Sequence, residues 1–372
     1  MSAVVISGSG IFTPPFAVSN DALVSAFNAR VDRINSANAA AIERGEQQPL
    51  PYSSSEFIDK ASGIKSRFLM DAEGVLDPER LCPRLPARSD DEPSLMVEMA
   101  LVAARDALVA ARVEGAEIDL VIVAASNLER AYPAIAVELQ QALGAGGYAF
   151  DMNVACASAT FALSTAADAI SCGAATRALL VNPEICSAHA NFADRDSHFI
   201  FGDGCAALVV EREDLCRIAH PFVVGGRQLV TSFSNNIRNN AGFLGRCRPP
   251  VAPHAELFRQ NGRKVFKEVL PLVVELIEGL MAREGLSSGQ LARLWLHQAN
   301  SNMNQFIARK VLGREPDEGN APTILDRYGN TSSAGSVIAF HLHHQDLVPG
   351  SIAILCAFGA GYSAGAVVLR RR

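Results

Sequence analysis

The stretch F-D-M-N-V-A-C-A-S, from Phe150 to Ser158, decides how this chain folds. An apolar strand gives way to a short turn, and Cys156 stands where the next helix begins. That helix is expected over Ala157–Ser171, followed by a Gly and the strand Ala178–Asn182. The same order comes a second time. L-D-R-Y-G-N-T, from Leu325 to Thr331, precedes a helix expected over Thr331–Gln345, then Gly350 and the strand Ser351–Ala357. Further out, helix Ser94–Arg112 with strand D-L-V-I-V-A (Asp119–Ala124) is matched by helix Val265–Glu284 with strand R-L-W-L (Arg293–Leu296). G-D-G-C-A-A-L-V-V (Gly202–Val210) is matched by G-A-G-Y-S-A-G-A-V-V-L (Gly359–Leu369). Two such halves, 1–215 and 216–372, imply an internal duplication with a site at the junction. Alternating strands and helices place the chain in the α/β class, with mostly parallel sheets.

Three stretches break the pattern. Residues 31–53 are polar and Ala-rich, residues 71–93 hold Pro78, Pro83, Pro86 and Pro93, and Ser234–Pro253 is irregular. All three read as surface excursions, because Pro and polar clusters cannot continue a packed element. At the start, Val4–Ile6 reads as a strand closed by Gly8 and Gly10, with a helix from Asn20 to Arg30.

Composition narrows the function classes. Of 372 residues, 49% are hydrophobic and 19% charged, which suits a core-rich enzyme rather than a disordered chain. The net charge of −6 gives no basic surplus, so a nucleic-acid partner is not expected. The 8 Cys show no C-x-x-C and no zinc spacing, which points to free thiols in a reducing compartment and no metal site. The opening Met-Ser-Ala-Val-Val-Ile-Ser-Gly lacks a basic, then long apolar, leader, and no apolar run approaches the ~18 residues that span a bilayer. A cytoplasmic location without a membrane partner is the expectation.

The chemistry gathers at the strand-to-helix turns. A thiol at a helix N-terminus meets the positive end of the helix dipole, which is expected to lower the Cys156 pKa. Packed under a helix, the same Cys would be an inert core residue. His297 closes the strand L-W-L and opens H-Q-A-N-S-N-M-N, at the strand end where α/β sites lie; as an alternative, it is a solvated loop residue. Asn330, in Y-G-N-T-S-S-A-G, could cap a helix, but it holds nearly the position in its half that Cys156 holds in the other. F-G-A-G-Y-S-A-G (Phe358–Gly365) is a Gly-rich turn whose backbone N–H groups could hold an oxyanion. His341, His343 and His344 read as one exposed helix end.

F-D-M-N-V-A-C-A-S, D-R-D-S-H-F-I-F-G-D-G, H-Q-A-N, G-N-T-S-S-A and A-F-G-A-G-Y, with S-E-F-I-D-K-A-S-G-I-K-S-R from Ser55, closely resemble the β-ketoacyl-acyl-carrier-protein synthase III family. The resemblance implies a thiolase fold of five layers, αβαβα, and a homodimer. It implies that Cys156 accepts the acyl group and that His297 and Asn330 aid decarboxylation. It makes the N–H groups of Cys156 and Ala360 the oxyanion hole. Phe201 resembles the apolar residue lining the site, and Arg195 the residue stacking on adenine, with Phe57 on the other face. Asn300 resembles a ligand of the pantetheine arm, and Tyr132 falls where a dimer-interface loop shapes the partner's acyl pocket. The chain departs from the family at Ala61, where an Arg often binds the nucleotide, and at Ala360, the middle of a usual triple Gly.

The implied reaction is ping-pong condensation of an acyl-CoA, of medium chain such as octanoyl-CoA, with malonyl-acyl-carrier protein. No cofactor is expected, coenzyme A thioester being a substrate. Other readings stay open on the same residues. A cysteine-dependent acyltransferase, a thioester hydrolase or a secondary-metabolite condensing enzyme would also use Cys156 and His297. A hydroxymethylglutaryl-CoA synthase would need a Glu near the thiol, and no clear one is visible in the sequence. Arg259, Arg263, Lys264 and Lys267 cluster at one helix start, where they could meet an acidic carrier protein.

Overall fold

The computed structural model describes residues 2–249 and 253–372. Its first half supplies strands β1 (Val4–Phe12), β4 (Leu120–Ala124), β5 (Tyr148–Met152), β6 (Arg177–Glu184) and β7 (Gly204–Arg212). The second supplies β8 (Phe222–Thr231), β11 (Leu291–Leu296), β12 (Ile352–Gly359) and β13 (Ser363–Arg371). Small ribbons pair β2 (Phe16–Ser19) with β3 (Ser66–Leu69) and β9 (Ile237–Arg238) with β10 (Arg259–Gln260). The main sheet runs β11-β12-β13-β8-β1-β7-β6-β4-β5.

The order repeats about the β8–β1 seam. β1, β7, β6 and β4 answer to β8, β13, β12 and β11, with the same antiparallel and parallel senses in each half. The seam is narrow, joining only Val5 to Val223 and Ile6 to Phe222. The sheet is mixed rather than mostly parallel: only β4–β5, β4–β6 and β11–β12 run parallel. The Gly-rich turn folds β12 straight back onto β13, and β6 returns to β7 through a loop without a crossover helix, so both pairs are antiparallel.

The sequence between β2 and the main sheet is more ordered than expected. Helix α1 (Asn20–Ala37) carries a buried stripe of Leu23, Phe27 and Val31 at helical spacing, so it extends into the supposed irregular stretch. Then α2 (Ala39–Glu43) follows, and α3 (Ser55–Ser62) ends at Gly63, which takes φ +79°. The second excursion contains α4 (Glu73–Leu76) and leans on the first: Arg30 donates to the Pro78 carbonyl at 3.3 Å and Arg33 pairs with Glu79 at 2.8 Å. Within the third excursion, residues 250–252 lie outside the described residues.

Five layers result. Helices α5 (Leu95–Ala111) and α6 (Ile135–Leu143) cover one outer face, with Ala103 and Ala107 packed against Val121 and Val181. Helices α7 (Ser158–Ser171) and α11 (Gly335–Leu342) fill the middle, where Leu163 and Ile338 meet Leu180, Leu208 and Leu355. Helices α8 (Gly262–Arg283) and α9 (Ser301–Leu312) cover the other face, with Ile277 and Ile307 against Leu294 and Val368. This is the αβαβα order, each sheet half buried on both sides. The expected helix Thr331–Gln345 begins instead as a 3-10 turn, Ser332–Ala334, and α11 ends at Leu342. His341, His343 and His344 are half-buried, and His341 Nδ1 lies 2.9 Å from Ser9 Oγ. Among the described residues no helix is long and apolar enough to cross a membrane, and no three His, Cys, Asp or Glu cluster as a metal site.

β1 does not stop at its glycines. It runs to Phe12 because α5 lies directly on it: a Cβ at Gly8 would sit 2.1 Å from the Ala107 carbonyl oxygen, and one at Gly10 would sit 2.2 Å from that of Ala103. The glycines serve close approach of backbone to backbone rather than strand termination. Gly10→Ala should push α5 off the sheet and lower stability by about 1–3 kcal/mol, the usual range for overpacking. Urea unfolding checks this; an unchanged midpoint would contradict it.

Candidate active site

β5 ends at Met152, and the chain then turns sharply before α7. Asn153 Oδ1 accepts the Ala155 N–H at 3.0 Å, and Ser158 Oγ accepts the Val154 N–H at 2.8 Å. Ala155 takes φ +48°, and Cys156 follows it, one residue before the helix cap Ala157. Across from it, Gly359 at the end of β12 is so close that a Cβ there would come 2.6 Å from the Cys156 Cβ. Only glycine fits that position.

His297 follows the end of β11, where its N–H donates to the Cys356 carbonyl at 2.8 Å. Its ring stands edge-on to Phe358, with centroids 5.2 Å apart. Asn330 follows the short α10 (Leu325–Tyr328) and Gly329, which takes φ +65°. Its backbone bridges to the Phe201 segment: the Asn330 N–H donates to Ile200 O at 2.9 Å, and the Gly202 N–H donates to Asn330 O at 3.2 Å. The Asn330 Oδ1 accepts the Ser332 N–H at 2.9 Å, which leaves the amide Nδ2 for the cleft. Cys156, His297 and Asn330 thus line one cleft of about 740 Å³, walled by Phe201, Phe258 and Phe358.

Burial sets the electrostatics of the site. Burial pushes the Cys156 thiol up to about 11, and the charge of Glu184 adds to the rise. The hydroxyl of Ser332, 3.3 Å from Sγ, works the other way, as do the backbone N–H groups of Cys156 and Ala360. The expected lowering by the helix dipole is reversed, because loss of water outweighs it. Burial also holds His297 down at about 4, against a pull from the Ser332 backbone that favours the charged ring. No ordinary hydrogen bond reaches the buried Nδ1. At neutral pH the cleft therefore presents a neutral thiol, a neutral imidazole, an amide and two N–H groups aimed at sulfur.

The sequence reading found no acidic residue near the thiol, and the structure corrects this. Glu184, fully buried at the end of β6, is close enough to Cys156 to act on its charge. At the end of an apolar strand it carries no local signal; only the packing of the two halves brings it here. Ser332 was missed for a similar reason, since a Ser-Ser pair before a helix reads as a cap.

The remaining candidates sit as follows. Phe201 lines the cleft and stands edge-on to Phe258, with centroids 4.7 Å apart. Arg195 and Phe57 are stacked directly on each other, the guanidinium carbon 3.9 Å from the ring centroid, and Arg195 Nε donates to the Tyr52 carbonyl at 2.7 Å. Beyond Arg195 a second cleft of about 380 Å³ opens against α1 and the 31–53 excursion. Asn300 caps α9 through Oδ1 and donates to the Ala61 carbonyl at 2.7 Å, so its amide forms part of the cleft wall. Tyr132 does not reach this cleft within the chain; it stands 85% exposed.

Three buried histidines lie at or behind this cleft. His189, His198 and His297 are each held at about 4 by burial, against an ordinary value of 6.5. Unfolding exposes these rings, which then take up protons below about 6.5. Stability should accordingly be full above pH ~6.5 and fall as pH drops toward ~4. His189, which makes no side-chain hydrogen bond, is the cleanest probe. His189→Phe should flatten the acid limb of a melting-temperature series, and an unchanged slope would contradict the assignment.

A family model described as 3-oxoacyl-[acyl-carrier-protein] synthase III matches residues 150–222, and the model of its C-terminal part matches residues 281–371. The chain is 56% identical over 349 residues to the β-ketodecanoyl-[acyl-carrier-protein] synthase of Pseudomonas aeruginosa, covering 94% of this chain and 100% of that one. It is 34% identical over 321 residues to the β-ketoacyl-[acyl-carrier-protein] synthase III of Rubrobacter xylanophilus, covering 84% and 96%. The crystal structure of the Aquifex aeolicus 3-oxoacyl-[acyl-carrier-protein] synthase III matches at a TM-score of 0.76 and 25% identity, over 99% of both chains. The chain belongs to the 3-oxoacyl-[acyl-carrier-protein] synthase III family, acyltransferases of the thiolase fold.

Proposed function

We propose that the protein joins an acyl group taken from coenzyme A to a two-carbon unit taken from malonyl-acyl-carrier protein. The observation that carries this is the one cleft lined by Cys156, His297 and Asn330, with the amides of Cys156 and Ala360 at the sulfur. The Cys156 sulfur bonds to the thioester carbonyl carbon while the two N–H groups hold the oxyanion. The C–S bond to coenzyme A breaks, and the proton from the thiol leaves on the coenzyme A sulfur. Malonyl-carrier protein then enters and loses carbon dioxide. The enolate oxygen receives hydrogen bonds from His297 Nε2–H and Asn330 Nδ2–H. Neutral donors suit this step, because they stabilise oxygen without protonating the carbon. That carbon attacks the acyl-enzyme carbonyl, the C–S bond to Cys156 breaks, and the thiolate takes up a proton from solvent as the β-ketoacyl-carrier protein leaves.

An octanoyl primer is favoured, since the P. aeruginosa relative is named for a β-ketodecanoyl product. Octanoyl plus the two-carbon unit gives that length. Arg195 and Phe57 would part to take the adenine, Asn300 would meet the pantetheine arm, and Phe201 would line the acyl path. Arg263 and Lys267 line the cleft mouth, and with the exposed Arg259 and Lys264 they form the docking face for an acidic carrier protein. We place the enzyme in the cytoplasm as a homodimer of duplicated halves, 1–215 and 216–372, in which the exposed Tyr132 reaches the partner's acyl pocket.

Intact-protein mass spectrometry with acyl-CoAs from acetyl to dodecanoyl tests the reading. One adduct, best at medium chain and absent in Cys156→Ala, is expected; no adduct with any donor would sink it. Asn330→Ala should still acylate Cys156 yet lose malonyl decarboxylation by about 10²–10³-fold, the usual scale for one lost donor to a developing oxyanion. Normal malonyl turnover in that variant would refute its role. Charge reversal at Arg263 and Lys264 should raise the KM for malonyl-carrier protein and leave that for acyl-CoA nearly unchanged.

A further inference from the structure

Ser332 touches every member of the site. Its hydroxyl lies 3.3 Å from Cys156 Sγ, its N–H donates to Asn330 Oδ1 at 2.9 Å, and its backbone acts on the His297 ring. The turn that carries it is rich in hydroxyls, yet they are used differently. Ser333 donates to Glu184, while the hydroxyls of Thr331 and Ser336 are buried without partners. Ser332 alone among these four is bonded to the sulfur.

The backbone argues that this hydroxyl is kept for a purpose. Ser332 takes φ +48°, a left-handed conformation that a residue with a Cβ adopts at a cost. Glycine would occupy it freely, as at Gly329 nearby. Costs of this kind persist where the surroundings enforce them, and they cluster at functional sites. The Ser332 side of the bond is almost fully enclosed.

We propose that the Ser332 hydroxyl is a catalytic hydrogen-bond donor to the Cys156 sulfur. It stabilises the negative charge on sulfur as the thioester is attacked, and again when the acyl group departs to the enolate. Ser332 keeps its own proton throughout; only the hydrogen bond strengthens. The need is plain from the surroundings. The titratable groups facing the sulfur are Glu184, whose charge opposes a thiolate, Cys186, and the neutral His297. None supplies a positive charge. Hydroxyl and backbone N–H donors are what this pocket has for a sulfur anion. The inference rests on the reading of Cys156 as the nucleophile.

The test is the rate of Cys156 alkylation by iodoacetamide, resolved by peptide mass spectrometry, across a pH series for the wild type, Ser332→Ala and Ser332→Gly. Both variants should react about ten- to a hundredfold more slowly, the scale of one hydrogen bond to a charged group. Their pH profiles should shift upward by about one unit or more. Ser332→Gly relieves the backbone cost, so its melting temperature should equal or exceed that of Ser332→Ala, separating a chemical loss from a folding loss. Wild-type rates and pH profiles in both variants would overturn the proposal. A loss in Ser332→Ala that is absent in Ser332→Gly would assign the effect to the backbone and overturn it too. If the wild type took no acyl group from any acyl-CoA, the condensing reading would fail, while the alkylation series would still report on the Ser332–Cys156 bond.

Discussion

Glu184 is a carboxyl group sealed at the end of β6; two serines donate to it, and the Cys186 thiol lies 3.9 Å from Oε2. Oε1 accepts the Ser126 N–H at 2.8 Å, the Ser333 N–H at 3.2 Å and the Ser333 hydroxyl, while Oε2 accepts the Ser126 hydroxyl at 2.6 Å. Ser126 stands just past β4 in the first half, and Ser333 stands in the turn after Asn330 in the second. A buried carboxyl left without hydrogen-bond partners is costly, so the two segments cannot drift apart without stranding it. The seam of the main sheet is only two residue pairs wide. At the cleft, the carboxylate and its serines therefore hold the halves in register. That bond, together with the backbone bridge of Asn330 to Ile200 and Gly202, places the Asn330–Ser332 turn, and with it the amide and hydroxyl beside Cys156.

Burial also decides the chemistry. Burial raises the thiol and lowers the imidazole, so both are neutral before substrate arrives. A site of preorganised neutral donors acts only where charge develops, on the oxyanion, on the leaving sulfur and on the enolate oxygen. A charged His297 would protonate an enolate carbon and waste the decarboxylation. Burial raises the Glu184 carboxyl as well, and charge on it opposes charge on the neighbouring sulfur, a second reason for the thiolate to appear only transiently.

Much of this was legible in the sequence, because the turns repeat. Cys156, His297 and Asn330 each stand where a strand or short helix passes toward another helix, and the chain states that order twice. The hidden parts are those fixed only by packing. Gly8 and Gly10 read as the end of a strand, yet they exist because α5 lies on β1 within backbone contact. Helix α1 runs past its expected end because Val31 continues a buried stripe. The senses of the strands could not be read from alternation alone, since the tight β12–β13 return looks like any Gly-rich loop. Glu184 and Ser332 belong to the same class: their meaning lies in partners more than a hundred residues away. The thiol pKa was misjudged because a helix dipole is visible in sequence and desolvation is not.

Carbon–carbon bond formation at Cys156 is read most directly from the product. Octanoyl-CoA is mixed with carbon-13-labelled malonyl-carrier protein, and every thioester and free acid is identified by mass spectrometry. β-Ketodecanoyl-carrier protein carrying labelled carbon is expected, with one coenzyme A and one carbon dioxide released in turn for each product. Free octanoic acid, or octanoyl passed unchanged to the carrier protein, would contradict it and identify a hydrolase or simple acyltransferase.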